Sequence, residues 1–431
     1  SCCSKDGICG YGPDICGAGC TSNCDAKAMC GVYSEGGSIS CGMNICCSSG
    51  GWCGTEETHC IGPNKFSLCQ EGFGACEIIR PKTCGEDSGT SNGRTIAYYQ
   101  ASNVRNRACN RVSPANIKSD GYSHLYFAFA SIDPATFAVV PSDDQDIPLM
   151  KEFTALKSST LQTWIAVGGY DFSNIGSTHT TWSDLCASPA ARGAFIQSAG
   201  QYMDTYGFQG IDLDWEYPGD ETRGGKRADI ENFVSLVKEM REVFGTKYGI
   251  SLTLAPDYWY LRWFDAKAME PYVDWFGFMS YDLHGSWDSD VKTLTTIVRG
   301  QADIREIKND TLPLWYAGLD PGKINFGVAW YGRGYTLSDV TCTTLGCPFQ
   351  GPSNPGKCTN GAGVLSLFEI EQMQKEKGIE GRLLEGAMMK ELVWDDQWIG
   401  YDDAETVAMK KKVANDLCFG GTMAWSIDFI S

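Results

Sequence analysis

The sequence predicts a closed (β/α)8 barrel, interrupted near its end by an inserted α+β unit and preceded by a small disulfide-rich segment. Three observations carry this reading. Of the 21 cysteines, 15 fall between Cys2 and Cys84, and only Cys109, Cys186, Cys342, Cys347, Cys358 and Cys418 follow. Composition changes near residue 90, from Cys, Gly and Ser with few aliphatic side chains to an ordinary core-forming mixture. Beyond that break, eight short apolar runs alternate with longer stretches of helical spacing.

Residues 1–84 cannot bury a normal core, so covalent cross-links must replace it. That cysteine density implies an oxidising compartment and argues against the cytosol. No secretory leader precedes Ser1-Cys2-Cys3, so the chain reads as mature or truncated. Residues 85–93, Gly-Glu-Asp-Ser-Gly-Thr-Ser-Asn-Gly, read as a flexible polar linker. The candidate strands are Ile96–Tyr99, His124–Ala130, Thr163–Val167, Gly210–Glu216, Ile250–Ala255, Trp275–Tyr281, Asn325–Trp330 and Thr422–Ile427. Ile230, Phe233, Val234, Val237, Met240 and Phe244 keep one face of a helix. Buried parallel strands separated by helices suit a barrel, with a doubly wound sheet as the alternative. The gap from Trp330 to Thr422 is too long for one helix. Residues 333–400 therefore read as an insertion between strands seven and eight.

Net charge is −18. That argues against a polyanionic partner such as nucleic acid, because phosphate binding needs a surplus of Lys and Arg. No apolar run approaches the ~18 residues that span a bilayer. One sequon, Asn309-Asp310-Thr311, is compatible with secretion. No heptad or apolar pattern suggests assembly, so a monomer is expected.

The strongest chemistry lies in Gly210-Ile211-Asp212-Leu213-Asp214-Trp215-Glu216-Tyr217-Pro218. Strand side chains alternate, so Asp212, Asp214 and Glu216 point one way, about 6.5–7 Å apart. In a barrel that face is the lumen, and Pro218 marks the carboxyl-end mouth where active sites form. Three acids in one column raise one another's pKa values. Glu216, the outermost, is the natural general acid. The competing reading is a cation site or an Arg-paired strand end. A hard cation, however, needs oxygens converging from several segments, and no second acidic cluster is obvious. Neither a metal nor a cofactor is expected.

This segment resembles the Asp-x-x-Asp-x-Asp-x-Glu signature of family 18 glycoside hydrolases, the chitinases. Val167-Gly168-Gly169 resembles the family's strand-three motif and Met279-Ser280-Tyr281-Asp282-Leu283-His284 its strand-six motif. Trp330-Tyr331-Gly332-Arg333 and Met423-Ala424-Trp425-Ser426 resemble those of strands seven and eight. Together they run in family order from Arg94 to Ser431. The resemblance implies substrate-assisted hydrolysis of chitin and chito-oligosaccharides, an exception to the two-carboxylate rule. It implies Glu216 as proton donor, Asp214 orienting the substrate acetamido group, Asp212 behind it sharing a proton, and Tyr281 bonding the acetamido oxygen. Trp425 would floor the distorted sugar. Asp282, Tyr331, Arg333, Tyr170, Tyr217, Met279 and Tyr98 complete the expected substrate-binding set. Trp259, Trp263, Trp287, Trp394 and Trp398 are each equally open to subsite or core roles.

The sequence departs from the family pattern at three places. Gln209 replaces the first Asp of the signature, shortening the expected proton-sharing chain. Ala166 replaces a Ser, removing a hydroxyl near the acids. Tyr170 follows Gly-Gly where Trp is usual, leaving a smaller stacking surface.

Residues 1–28 and 29–84 carry a repeat, Cys2-Cys3-Ser4 to Cys9-Gly10 and Cys46-Cys47-Ser48 to Cys53-Gly54. It resembles hevein-type chitin-binding modules, the first copy being partial. The resemblance implies bonds Cys30–Cys47, Cys41–Cys53 and Cys46–Cys60, and sugar binding through Ser48, Trp52 and His59. Cys3 and Cys9 have no partners under that scheme. Either the chain is cut inside a module or the pairing differs. The first copy offers Ser4, Asp6, Ile8 and Ile15 and is expected to be structural; the second is expected to bind chitin weakly. Alternatively the segment only packs on the barrel. An odd cysteine total leaves at least one thiol unpaired within the chain. The resemblance thus points to a secreted chitinase. The competing readings are a silent chitin-binding lectin or toxin-targeting subunit, and hydrolysis of the N-glycan chitobiose core.

Overall fold

A computed structural model describes residues 1–60, 68–78, 81–291 and 293–430; Ser431 and residues 61–67 of the second repeat lie outside the described residues. Eight parallel strands close into a barrel: Thr95–Gln100, His124–Ile132, Gln162–Gly168, Gly210–Asp214, Gly249–Leu254, Trp275–Phe278, Ile324–Ala329 and Gly421–Trp425. Strand eight pairs with strand one, from Thr422 opposite Thr95 to Ala424 opposite Ala97, which closes the ring. Strands four and seven are buried along their whole length, as expected where helices cover the outer face.

All eight expected strands are present, but strands four, six and eight stop early, at Asp214, Phe278 and Trp425. Their backbones leave the ladder at the mouth, so Glu216 and Tyr281 project from the irregular segments just beyond it. The helix Asp229–Phe244 buries Phe233, Leu236, Val237, Met240 and Phe244, whereas Ile230 and Val234 sit half-buried on its flank. Helix Pro189–Tyr206 starts with Ser188 accepting from the Ala191 N–H and stops at Gly207, whose φ of 86° suits glycine.

The insertion is an antiparallel sheet of six strands, from Tyr331–Leu337 to Gln397–Tyr401, carrying helix Leu367–Lys377. Ser366 and Glu369 close that helix's N-terminus reciprocally. The insertion has its own core around Tyr335, Leu337, Phe349, Met389 and Trp398. Trp398 is 0% exposed and its indole N–H donates to Glu391. It therefore cannot line a sugar subsite. Helix Ala404–Asp416 returns the chain to the barrel.

The polar stretch 85–93 is not free. Ser91 is fully buried, and its N–H and hydroxyl both donate to Asn415 Oδ1 at 3.0 and 2.6 Å. Asn415 Nδ2 in turn donates to the Glu86 carbonyl, and Cys84–Cys418 bonds the same site. In the stretch expected to be a flexible linker, the Ser88 and Thr90 hydroxyls donate to the Asn415 backbone carbonyl of the last barrel helix. Because Cys84–Cys418 spans 334 residues, its loop-closure effect is large. Replacing both by Ser should lower unfolding stability by about 4 kcal/mol in urea titration. An unchanged midpoint would contradict the tether's role.

Nine disulfides leave Cys46, Cys69 and Cys186 as thiols. Cys30–Cys47 and Cys41–Cys53 form as expected. Cys46–Cys60 does not: Cys60 bonds Cys76, and the Cys46 thiol points to the His59 carbonyl at 3.3 Å. The three sulfurs lie within 4.8 Å of one another, so Cys76 competes for the same partner. In the first repeat the pairing differs from the family scheme, as Cys3–Cys9 with Cys2–Cys16.

The second repeat packs directly on the barrel. Met43 and Ile45 join the barrel's core cluster, Tyr258 Oη donates to the Gly42 carbonyl, and Asn44 donates to the Tyr316 carbonyl. A Cβ at Gly42 would fall 2.1 Å from the Arg262 carbonyl oxygen, so only glycine allows this approach. Among the described residues, no helix is long and apolar enough to cross a membrane.

Candidate active site

Strand four places Asp212 and Asp214 in the lumen, and the segment beyond it places Glu216 at the mouth. Their exposures are 1%, 4% and 9%. Register explains their partners. Asp212 lies opposite Ala166 on strand three and Ser251 on strand five. It accepts from Ser251 Oγ at 2.6 Å and from Tyr98 Oη at 2.7 Å. Tyr126 sits 3.1 Å from Ser251 Oγ and accepts from Trp275 Nε1, extending the chain into the barrel core. Asp214 accepts from Thr253 Oγ1 at 2.8 Å.

Burial raises all three carboxyl pKa values. Asp212 rises to about 6, held from going higher by its two hydroxyl donors. Asp214 rises well above the usual range, through burial first and then the charges of Glu216 and Asp212. Glu216 rises to about 7, mainly by burial, against lowering by Tyr217 and Arg223. The outermost acid thus holds a proton near neutrality, as general acid catalysis requires.

The same shift has a stability consequence. A carboxyl raised from 4.5 to about 7 on folding is penalised when ionised, so folding weakens as pH rises from 4.5 through 7. Glu216→Gln should therefore stabilise the protein on the order of 3 kcal/mol at pH 8 and hardly at pH 4. Thermal unfolding at the two pH values checks this; an equal gain at both would contradict it.

Gln209 is not part of the acid column. It precedes strand four, and its Oε1 accepts from the Thr163 N–H at 3.2 Å, pinning the neighbouring strand. It lies three positions before Asp212, and an odd offset puts it on the opposite face. The hydroxyl missing at Ala166 is matched by Ser251 on the other side of Asp212. Ser251 and Thr253 were not singled out from sequence; nor was Arg223. Its Nε donates to the Glu216 carbonyl at 2.9 Å, its Nη1 to Asn174, and its Nη2 to the Tyr170 carbonyl.

Aromatic side chains wall the mouth. Trp425 is half-buried between Tyr98 and Phe129, with Phe129 stacked on it at 5.6 Å. A cavity of about 380 Å³ opens beside it, lined by Gln100, Phe129, Asp171 and Trp425 among others. Gly169, with φ 87°, lets Phe129 close in; a Cβ there would lie 2.6 Å from its ring. Across the acid column, Tyr217 stacks on Tyr260 at 4.1 Å. Tyr281 and Met279 are buried at 8% and 7% exposure.

Asp282 and Arg333 hold each other in two parallel bonds of 2.7 Å, with the buried Tyr331 beside them. Tyr170 is 56% exposed and carries the Arg223 guanidinium on one ring face. Trp259 and Trp287 are exposed, whereas Trp263 lies on Gly219 and Trp394 packs against the insertion's core.

In the N-terminal segment Ser48 is 3% exposed and its hydroxyl accepts from the Trp52 N–H. Trp52 is 44% exposed, with Tyr11 of the first repeat 5.2 Å away. The His59 ring lies on Gly54. Ile15 is buried and Ile8 exposed.

A (β/α)8 barrel with a buried acid column at its carboxyl end and an α+β insertion before strand eight defines a glycosidase-type architecture. Residues 94–429 match the model of glycosyl hydrolases family 18, and the chain belongs to that family. It is similar to the secreted chitinase LysM12 of Penicillium expansum, at 26% identity over 411 residues, covering 90% of this chain and 27% of that protein. The chain spans about a third or less of the first curated relatives it matches. The structure is similar to catalytic domain 2 of the Ostrinia furnacalis group II chitinase, with TM-score 0.71 and 28% identity, covering 79% and 91% of the two chains. It is also similar to human YKL-39, a pseudo-chitinase with retained chitooligosaccharide binding, with TM-score 0.67 and 26% identity, covering 78% and 93%.

Proposed function

We propose that the protein is a secreted chitinase that hydrolyses β-1,4-linked N-acetylglucosamine chains with retention of configuration. The observation that carries this is Glu216, raised to about 7 at the mouth, with Asp214 one strand position behind it. Glu216 protonates the glycosidic oxygen as its bond to the anomeric carbon breaks. The substrate's acetamido oxygen attacks that carbon, forming a cyclic oxazolinium ion. Asp214 accepts a hydrogen bond from the acetamido N–H and offsets the developing charge. Asp212, fixed by Tyr98 and Ser251, supports Asp214. Tyr281 donates to the acetamido oxygen, and Trp425 lies under the sugar face. The Glu216 carboxylate then takes a proton from water as that water attacks the anomeric carbon, which opens the ring and restores the acid.

A silent binding protein is the second reading, favoured by the pseudo-chitinase likeness. The intact pair Asp214 and Glu216 supports catalysis instead. Chitohexaose decides between them: the account expects dimers or mixed shorter oligomers, and no cleavage would leave only binding. The insertion strand Tyr331–Leu337 brings Arg333 to Asp282 at the site, and a site walled on that side would favour a linear polymer over a branched N-glycan core. Nine disulfides fit an oxidising, extracellular setting. The proposed reaction uses residues of one chain only, and a monomer is the expected state. Neither nucleic acid nor membrane is a partner.

The second repeat adds weak chitin binding through Trp52. Trp52→Ala should reduce retention on insoluble chitin about fivefold, the loss of one stacking ring at roughly 1 kcal/mol. Unchanged retention would assign the segment to packing alone.

A further inference from the structure

The loop after strand six carries Tyr281, Asp282 and Trp287; among its described residues Ser286–Asp290 form one helical turn. His284 lies at its centre, 8% exposed. Its Nδ1 is 2.8 Å from Asp288 Oδ2, and its Nε2 is 2.9 and 3.1 Å from the two Glu306 oxygens. A neutral imidazole has one N–H and could serve only one carboxylate. Two carboxylates facing two nitrogens require the imidazolium. Burial lowers its pKa, but the hydrogen bonds it donates to Asp288 and Glu306 outweigh that and raise it to about 9.

Each packed element contributes charge to this site. Asp288 belongs to the same loop, is 1% exposed, and also meets Arg299 Nη1 at 3.4 Å. Glu306 and Asp310 come from helix Ile304–Asp310. Asp310 is pushed up to about 8 by burial, then by Glu306 and Asp257, while His284 lowers it. Asp257 comes from the loop after strand five, where it caps Tyr258–Leu261 beside the cleft. Gln301 adds neutral ties: it accepts from the Leu283 and Asp282 N–H groups and donates to the Tyr331 carbonyl. The loop's consequence for sugar binding is Asp282, clamped to Arg333, with Trp287 near the same guanidinium at 5.0 Å.

We infer that His284 is a positioning residue whose imidazolium pins the strand-six loop and so sets the Asp282–Arg333 clamp and Trp287 for sugar binding. The inference rests on the chitinase reading above. His284 touches none of the reacting atoms, so its effect falls on affinity rather than on the chemical step.

The test uses the full chain carrying Glu216→Gln, so that binding is read without turnover. Calorimetry of chitohexaose from pH 6 to pH 10 should show Kd constant to about pH 8 and weakening five- to tenfold through pH 9. Adding His284→Gln should give the weaker Kd at every pH, with no step near 9. In the otherwise wild-type chain, His284→Gln should raise KM by the same factor and leave kcat within twofold. Glu306→Gln, which keeps a hydrogen-bond acceptor and removes one charge, should weaken Kd at least threefold and move the step downward. If His284→Gln does not fold, Glu306→Gln decides. A Kd independent of pH and of both substitutions overturns the inference, as does a loss of kcat in proportion to thermal stability. No binding at any pH overturns this inference and the chitinase reading together.

Discussion

Glu216→Gln should lower turnover of chitohexaose by about three orders of magnitude and leave its Kd within about threefold. The amide matches the shape and buried polarity of the protonated acid but cannot deliver a proton to the leaving oxygen. General acid catalysis contributes typically 10²–10⁴-fold, about 3–6 kcal/mol of barrier. The groups proposed to bind sugar are untouched: Tyr281 and Asp282 follow strand six, Arg333 lies on the first insertion strand and Trp425 ends strand eight. Initial rates and calorimetry on the same preparation separate the two effects. Turnover within tenfold of wild type would remove Glu216 from its role.

The second large effect is at Asp214. Asp214→Asn should lower kcat about 100-fold with a smaller change in KM. In the proposed mechanism the Asp214 carboxylate accepts the acetamido N–H and faces the positive charge of the cyclic ion. That interaction strengthens in the transition state and therefore appears in kcat. The amide keeps one acceptor and can still take the Thr253 hydroxyl bond, so the fold should survive. It loses the negative charge. The pH profile provides the second readout. Removing a neighbouring acid that interacts with Asp212 and Glu216 should narrow the acid limb of kcat. A variant with wild-type kcat would show that Asp214 serves only structure.

Much of the site was legible because it depends on local alternation. The even offsets among Asp212, Asp214 and Glu216 fix one face before any fold is known. The same rule, applied to Gln209, places it on the other face, and the Thr163 contact bears that out. The family pattern treats position 209 as one end of the proton chain, so Gln209 reads as a shortening of that chain, whereas its amide ties down the Thr163 backbone. Ser251 and Thr253 could not be found this way. They meet Asp212 and Asp214 across strands 39 residues away, and their roles depend on register between strands, which closure of the barrel sets. Arg223 escaped notice because it works through backbone carbonyls, which carry no side-chain signature.

Strand ends were overrun for a related reason. Apolar and acidic alternation continues past Asp214, but the ladder stops where neighbouring strands curve away at the mouth. The implied Cys46–Cys60 pair failed where Cys46, Cys60 and Cys76 lie close enough to compete, and Cys60 bonds Cys76. Trp398 shows the limit of composition. An indole with a buried carboxylate partner, Glu391, and an indole on a sugar subsite read alike in sequence.

The central claim is substrate-assisted retention at Glu216, and the most direct measurement is the anomeric configuration of the first products. Proton NMR of chitohexaose hydrolysis, recorded before mutarotation, should show the β-anomer at the new reducing end for the wild-type chain and no product on that timescale for Glu216→Gln. Initial α-anomer, or β-anomer at equal rates from both proteins, would contradict the account.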